Sequence, residues 1–435
     1  MSLRARAKSR APVSPDREPP LHDAHTELLE CPHCGLVQRA GESLPGHVTV
    51  CTRCDSRLHG RTPPVRGLAP VCASAAALLL LVGLAEPVFE LHLLGRYAAA
   101  SVITGPRMLV HTGLPELALV VFLTLLIAPL LHLSILGLAL LGSHMHRPPR
   151  FMFWSLGLIE TTRRWSMADV FLLAALVCYV RLRAWAHVEV GSAIIALAAL
   201  TLVTVATEWA LDLPTLWMRM PWHSAPPPSA SGPQIACGWC RLVSFAREGT
   251  ECPRCGRTLH IRKRRSLTRA TTLLLSATFL CVPANVLPVM NMIRFGRSEE
   301  NTIYSGVLEL TRADLWGLAV LIFVASIVIP LIKIVALAFL LWSTKRGASE
   351  HLRARTRTFV FVQSIGRWSL VDVFAVTIMV SLVHLGILAS VLPRYGAVAF
   401  CGVVILTMFA TEAFDPRLMW DAAGLNGERL REHAA

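Results

Sequence analysis

The chain has 435 residues, of which 54% are hydrophobic and only 16% charged, and its mean hydropathy is +0.54. A soluble domain of this length carries about 25% charged residues, so a single large soluble core is excluded. The net charge of +14 is gathered near 4–17, 147–164, 257–269 and 345–367; membrane topology and anionic headgroups explain that pattern, and nucleic acid is not expected as a partner.

In chain order, residues 1–27 are basic, polar and without an apolar core, which reads as a disordered N-terminus and not a cleaved signal peptide. Residues 28–62 hold Cys31, Cys34, Cys51 and Cys54 in the spacing C-x2-C-x16-C-x2-C. Apolar segments near 68–89, 115–142, 166–186 and 190–211 are long enough to cross a bilayer and form a first four-helix repeat, 66–214. They are predicted as helices because lipid offers no partner to an open strand edge. A Pro/Ser-rich linker at 215–233 leads to a second cysteine segment, 234–263, with Cys237, Cys240, Cys252 and Cys255 in the spacing C-x2-C-x11-C-x2-C. Apolar segments near 270–292, 315–342, 368–392 and 395–415 form a second repeat, 267–417, before a short tail, 418–435. The expected fold class is therefore an all-α polytopic membrane protein of two parallel four-helix transmembrane repeats, each preceded by a small cytosolic zinc-ribbon module. With eight spans, the positive-inside rule places both termini and every basic loop in the cytoplasm.

Each CxxC sets two thiolates on one tight knuckle, and two knuckles complete a tetrahedral S4 site. In a reducing cytosol disulfides are disfavoured. Two structural zinc sites are the expectation, with rubredoxin-like iron the less favoured alternative, since S4 geometry accepts either. Cys72, Cys178, Cys281 and Cys401 fall inside spans, where a thiol packs as a small apolar group.

Internal correspondence runs the length of the two halves. RWSMADVF at 164–171 is answered by RWSLVDVF at 367–374, Thr104-Gly105 by Ser305-Gly306, Pro129 by Pro330, and ATEWALD at 206–212 by ATEAFD at 410–415. In the motif, Arg-Trp is expected to anchor a helix at the interface, Ser166 and Ser369 to cap it, and the aspartate to reach a polar partner inside the bundle. Lys333 lies roughly 13 Å inside the sixth span, Asp372 roughly 7 Å inside the seventh and Thr407 roughly 12 Å inside the eighth, at 1.5 Å per residue. A lone lysine at that depth costs several kcal/mol, which an ion pair with Asp372 lowers. The three define an expected polar pocket for a lipid headgroup or a proton relay. His132 and Asp169 occupy the matching positions of the first half as a weaker copy. Glu208 and Glu412 stand near cytoplasmic helix ends, within reach of loop arginines.

Tandem CxxC ribbons, each followed by four helices with RWS-x-x-DVF at the third, resemble the paraquat-inducible protein A family over nearly the whole chain beyond the first 30 residues. CVPANVLPVM at 281–290 is similar to that family's Pro/Asn-rich first helix; the first half departs, with Leu84 where Asn285 falls. The resemblance implies a bacterial inner-membrane subunit of a lipid transport system. Such a subunit loads or unloads phospholipid for a periplasmic MCE-domain tunnel protein between inner and outer membranes. Two other functions fit the residues: a membrane redox protein with iron sites, and a structural anchor for the tunnel. No G-x-x-x-x-G-K-[ST] loop, G-x-G-x-x-G turn or H-E-x-x-H helix occurs, so P-loop and zinc-protease chemistry are not expected and the chain does not read as an enzyme.

Overall fold

A computed structural model describes residues 28–39, 48–60, 68–93, 96–145, 149, 151–183, 187–210, 217, 234–294, 297–383 and 389–426. The basic N-terminus, nearly all of the 215–233 linker and the last nine positions of the expected tail, 427–435, lie outside the described residues.

Helices dominate. The first half runs through α1 (Leu68–Ala85), α2 (Thr104–His111), α3 (Pro115–Phe122), α4 (Ala128–His144), α5 (Phe151–Trp165), α6 (Ala168–Arg183) and α7 (Ser192–Ala210). The second half runs in the same order through α8 (Ser266–Val286), α9 (Ile303–Arg312), α10 (Trp316–Phe323), α11 (Ile329–Lys345), α12 (Leu352–Ile365), α13 (Val371–Leu382) and α14 (Tyr395–Ala413), and ends on the short α15 (Arg417–Ala422). Among the described residues, seven runs are long and apolar enough to cross a membrane: Pro115–Gly142, Trp154–Arg183, Ser192–Trp209, Ser266–Val286, Trp316–Lys345, Leu352–Leu382 and Tyr395–Ala413. The first of the eight expected spans is apolar but shorter, at Val71–Ala85.

Two runs contain a π turn at matching places, Leu123–Ile127 and Val324–Val328, just ahead of Pro129 and Pro330. Proline has no N–H to give to the carbonyl four residues back, and its ring crowds that carbonyl. A wider turn relieves the clash without ending the helix.

Three features depart from the sequence expectation. First, RWS-x-x-DVF does not open a separate span, although its last residues begin α6 and α13. It lies inside runs of about thirty residues, at a break after Trp165 in one and at a 3-10 turn, Gly366–Leu370, in the other. Ser369 does not cap α13: the N-cap is Leu370 without a side-chain bond, and the Ser369 hydroxyl is buried without a partner among the described residues. Second, the side of the membrane opposite the ribbons carries two three-stranded antiparallel sheets. In one, Phe89–Leu93 lies between Arg96–Ala100 and His187–Val190; in the other, Met290–Arg294 lies between Arg297–Asn301 and Ala389–Pro393. They gather strand-forming segments that the apolar pattern had assigned to helix ends or loops.

Third, the ribbons are crossed. Cys31, Cys34, Cys51 and Cys54 pack into one cluster with Leu337, Leu340, Phe359, Phe414, Met419 and Trp420 of the second half. Cys237, Cys240 and Cys252 pack with Ile135, Ala139, Met152, Leu156 and Ile159 of the first. Each ribbon thus sits under the helices that it does not directly precede.

The halves meet along α6 and α13. Phe171 and Phe374, the matching phenylalanines of the two motif copies, stack edge to face at 6.0 Å. The Cys178 thiol donates to the Ala375 carbonyl at 3.3 Å. Reciprocal hydroxyl boxes begin the helices beyond: Thr302 and Ser305 exchange backbone-to-hydroxyl bonds at 2.9 and 3.2 Å, and Ser101 and Thr104 do so at 2.9 and 3.3 Å. The glycine after each box faces the other half. A Cβ on Gly105 would fall 2.5 Å from the Thr377 methyl, and one on Gly306 would fall 3.4 Å from a guanidinium nitrogen of Arg181.

Candidate metal centres and intramembrane polar site

All four CxxC knuckles share one geometry. The amide of Gly35, Asp55, Arg241 or Gly256 returns to the carbonyl of the knuckle's first cysteine at 2.8–3.0 Å. Each of those residues has positive φ, between 57° and 73°. That left-handed conformation comes easily to glycine, and Asp55 and Arg241 accept its cost for the sake of the turn. Within each cluster the four sulfurs lie within 4.8 Å of one another. The closest pairs are 3.5 Å apart in the first ribbon and 3.6 Å in the second. A tetrahedron with metal–sulfur bonds of about 2.3 Å needs sulfurs about 3.8 Å apart, so both sets fit a four-coordinate ion with no open position.

The first ribbon is held to the second half by charge as well as packing. Buried Glu30 receives Arg417 at 3.4 Å and Arg262 at 3.7 Å. Arg262 also grips Asp421 at 2.6 Å, Arg53 reaches Asn426 at 2.8 Å, and the Asn426 amide donates to the Cys34 carbonyl at 3.1 Å. Asp415 anchors Arg417 at 2.9 Å. Burial pulls the Asp415 carboxyl upward. Hydrogen bonds and charge from Arg417, the Lys263 amide and the Arg262 charge outweigh it and hold the group below the usual carboxylate range. Desolvation lowers Lys263 from its ordinary value against the pull of Asp415. The second ribbon docks by Trp239, which lies against Gly157, with Arg257 stacked 3.7 Å over the Trp239 ring and Arg241 paired to Glu160.

The expected Lys333–Asp372 ion pair does not form. Lys333 is 2% exposed, and among the described residues its ammonium reaches only the Gly366 carbonyl, at a long 3.4 Å. Asp372 instead accepts a short hydrogen bond from the Ser326 hydroxyl, presented by the π turn. Thr407 is buried and donates to the Val404 carbonyl at 2.9 Å. Gly366 lies against Lys333 and Met408: a Cβ there would fall 3.9 Å from the Lys333 nitrogen and 3.8 Å from the Met408 side chain. The three side chains therefore occupy adjacent helices of one bundle without bonding to one another.

In the first half the expected His132–Asp169 pair is also replaced. His132 sits between Thr162 at 3.0 Å and Glu208 at 2.9 Å. Asp169 turns across the interface to Arg367 at 3.2 Å, and Arg164 faces Glu412 at 3.9 Å. The asymmetry has a local cause. The position matching Ser326 is Leu125, so Asp169 has no hydroxyl to accept from. Ser326, Thr162 and Arg181 did not stand out in the sequence, where each looks like an ordinary polar residue in or near an apolar run.

The family model for paraquat-inducible protein A matches residues 69–221 and 267–424. The chain is 29% identical over 407 residues to intermembrane transport protein PqiA of Escherichia coli K12, covering 92% of this chain and 97% of that protein. It is 29% identical over 402 residues to lipophilic envelope-spanning tunnel protein A of the same organism, covering 91% and 92%. A probable intermembrane transport protein of Haemophilus influenzae is 26% identical over 403 residues, covering 91% and 96%. No solved structure matches.

Proposed function

The chain belongs to the paraquat-inducible protein A family, and on that footing we propose that it is an inner-membrane subunit of a lipid transport system that passes lipid to or from a periplasmic MCE-domain tunnel protein. The relatives' names supply the transport class, and the multi-pass helical fold suits it. The basic blocks favour a cytoplasmic side bearing the ribbons and both termini, with the two small sheets in the periplasm.

The observation that carries the reading furthest is Lys333, an ammonium buried inside a span with no carboxylate partner among the described residues. A membrane protein does not keep such a charge for packing, because an apolar side chain of that size packs without the desolvation cost. With Asp372 and Thr407 it forms the working site of the second bundle, for a headgroup or for protons; His132 and Asp169 form its reduced counterpart. Reconstituted with a fluorescent phospholipid and its tunnel partner, the chain is expected to move lipid, and Lys333→Ala and Asp372→Ala to lose that transfer while still binding the partner. Transfer by both variants at the native rate would leave only an anchoring role.

The metal in each ribbon is proposed to be zinc, held for structure. Two equivalents of zinc per chain and a colourless preparation are expected; a red protein with visible absorption would assign iron.

A further inference from the structure

Between α5 of the first half and α12 and α14 of the second lies a cavity of about 350 Å³. Charged side chains converge on it from three elements: Glu160, Arg163 and Arg164 from α5, Arg367 from the 3-10 turn and Glu412 from α14. All five belong to runs long and apolar enough to cross a membrane. Each already has an ionic partner: Arg164 faces Glu412, Arg163 pairs with Glu208 at 3.0 Å, Arg367 with Asp169 and Glu160 with Arg241. The space therefore calls for no counter-ion. The three arginines are nevertheless between 36% and 63% exposed, so their pairs still need solvent. Charged groups at membrane depth face the bundle interior or a water-filled space, because lipid cannot solvate them. This volume holds roughly ten waters.

Its neighbours give the cavity a direction. At one end it shares Glu160 and Arg164 with a larger space of about 500 Å³, walled by Leu29 and Glu30 of the first ribbon and by Arg241 and Arg254 of the second. At another it reaches Gly366, whose carbonyl accepts from the Lys333 ammonium. A glycine without a side chain is thus the wall between the cavity and the buried lysine. Arg163 and Arg367 also line the cavity of about 100 Å³ that holds His132, Asp169 and Glu208. One space therefore borders the polar sites of both halves.

We propose that this cavity is a water-filled inlet from the cytoplasm that ends against Lys333, with Gly366 as its inner wall. The inference rests on the lipid-handling reading, with the ribbons in the cytoplasm, and deepens it. It names the cytoplasm as the side from which the working site is reached, and water as what reaches it. An ammonium with one long bond is costly in an apolar bundle, and water one residue away lowers that cost. The inlet is built by both halves, since α5 supplies one wall and the 3-10 turn and α14 the other.

The test uses the full chain in bacterial membrane vesicles of known orientation. The probe is an impermeant anionic thiol reagent, sulfonatoethyl methanethiosulfonate, and labelling is read peptide by peptide. Thr411→Cys and Gln363→Cys place thiols on the inlet wall. Phe361→Cys, on the exposed apolar face of α12, is the lipid-facing control. In inside-out vesicles the two inlet thiols should react at least about tenfold faster than the control, because a rise of one pKa unit in an apolar setting already cuts the thiolate tenfold. Right-side-out vesicles should label none of them. Lys333→Cys shortens that side chain and should also label from the cytoplasmic side. Adding Gly366→Val should abolish labelling at 333 and spare it at 411. Rates at 411 and 363 no higher than at 361 would overturn the inlet by showing a dry space. Labelling from the periplasmic side would overturn its direction. Labelling at 333 that Gly366→Val leaves unchanged would overturn Gly366 as the inner wall. None of these readouts requires lipid transfer. The lipid-handling reading fails separately, if Lys333→Ala and Asp372→Ala transfer lipid at the native rate.

Discussion

Emptying the first metal centre should loosen the second half of the molecule, not the first. Cys31→Ser with Cys34→Ser removes two of four ligands, and structural S4 sites of this kind contribute about 10–16 kcal/mol to the fold that binds them. A ribbon of some thirty residues has no core to replace that. Its unfolding uncovers Phe359, Phe414 and Trp420, now 3%, 0% and 3% exposed. At about 1.5–3 kcal/mol for each large apolar side chain, roughly 5–9 kcal/mol of burial is lost, comparable with the whole stability of a typical domain. Hydrogen–deuterium exchange on the intact chain in detergent reads the location. Protection should fall in α12 and in the peptide from 410 to 422, with α5 unchanged. The matching pair Cys237→Ser and Cys240→Ser should deprotect α4 and α5 instead. Deprotection of α4 and α5 by the first pair would refute the crossed arrangement.

Gly105→Ala drives a methyl against Thr377 and should destabilise the chain by about 1–3 kcal/mol, read as a lower Tm; Thr377→Ala in the same chain should restore it, and failure to do so would mean that the halves do not meet there. Ser326→Ala removes the hydroxyl that Asp372 accepts from and should cost about 1–3 kcal/mol; combined with Asp372→Asn the two losses should not add, and simple additivity would show the bond to be absent. Asp415 has a folded pKa below its unfolded value. Its contribution is therefore fully present above the unfolded pKa of about 3.9 and lost as pH falls through the lower folded value. Wild type should thus lose docking of the first ribbon at acid pH more steeply than Asp415→Asn, which starts lower and stays flatter; parallel curves would remove Asp415 from the clamp.

Much of this was legible in the residues. Cysteine spacing alone announced both four-sulfur clusters, because thiolates two residues apart have few other uses in such a chain. Apolar length announced the spans. The repeated RWS-x-x-DVF announced a relation between halves but not its geometry: Phe171 meets Phe374 across 203 residues, and no local periodicity encodes that. The same distance hid the partners of the buried charges. Lys333 and Asp372 look paired on a depth scale, yet rotation about each helix axis decides contact, and it sends Asp372 to Ser326 and Lys333 to the Gly366 carbonyl. Nor could composition reveal which bundle each ribbon covers, since both bundles offer similar apolar undersides.

The crossing of the ribbons also has a consequence for how the chain is made. The first ribbon leaves the ribosome ahead of every described helix, but its seat includes Met419, Trp420 and Asn426, which are synthesised after all the spans. It must wait, metal bound or not, while eight apolar segments enter the bilayer. The second ribbon finds its seat on α4 and α5 already built. Closure of the first ribbon therefore waits until the segments between it and Asn426 have been made. A chain cut short before α15 would present an unseated metal knuckle to the cell's proteases.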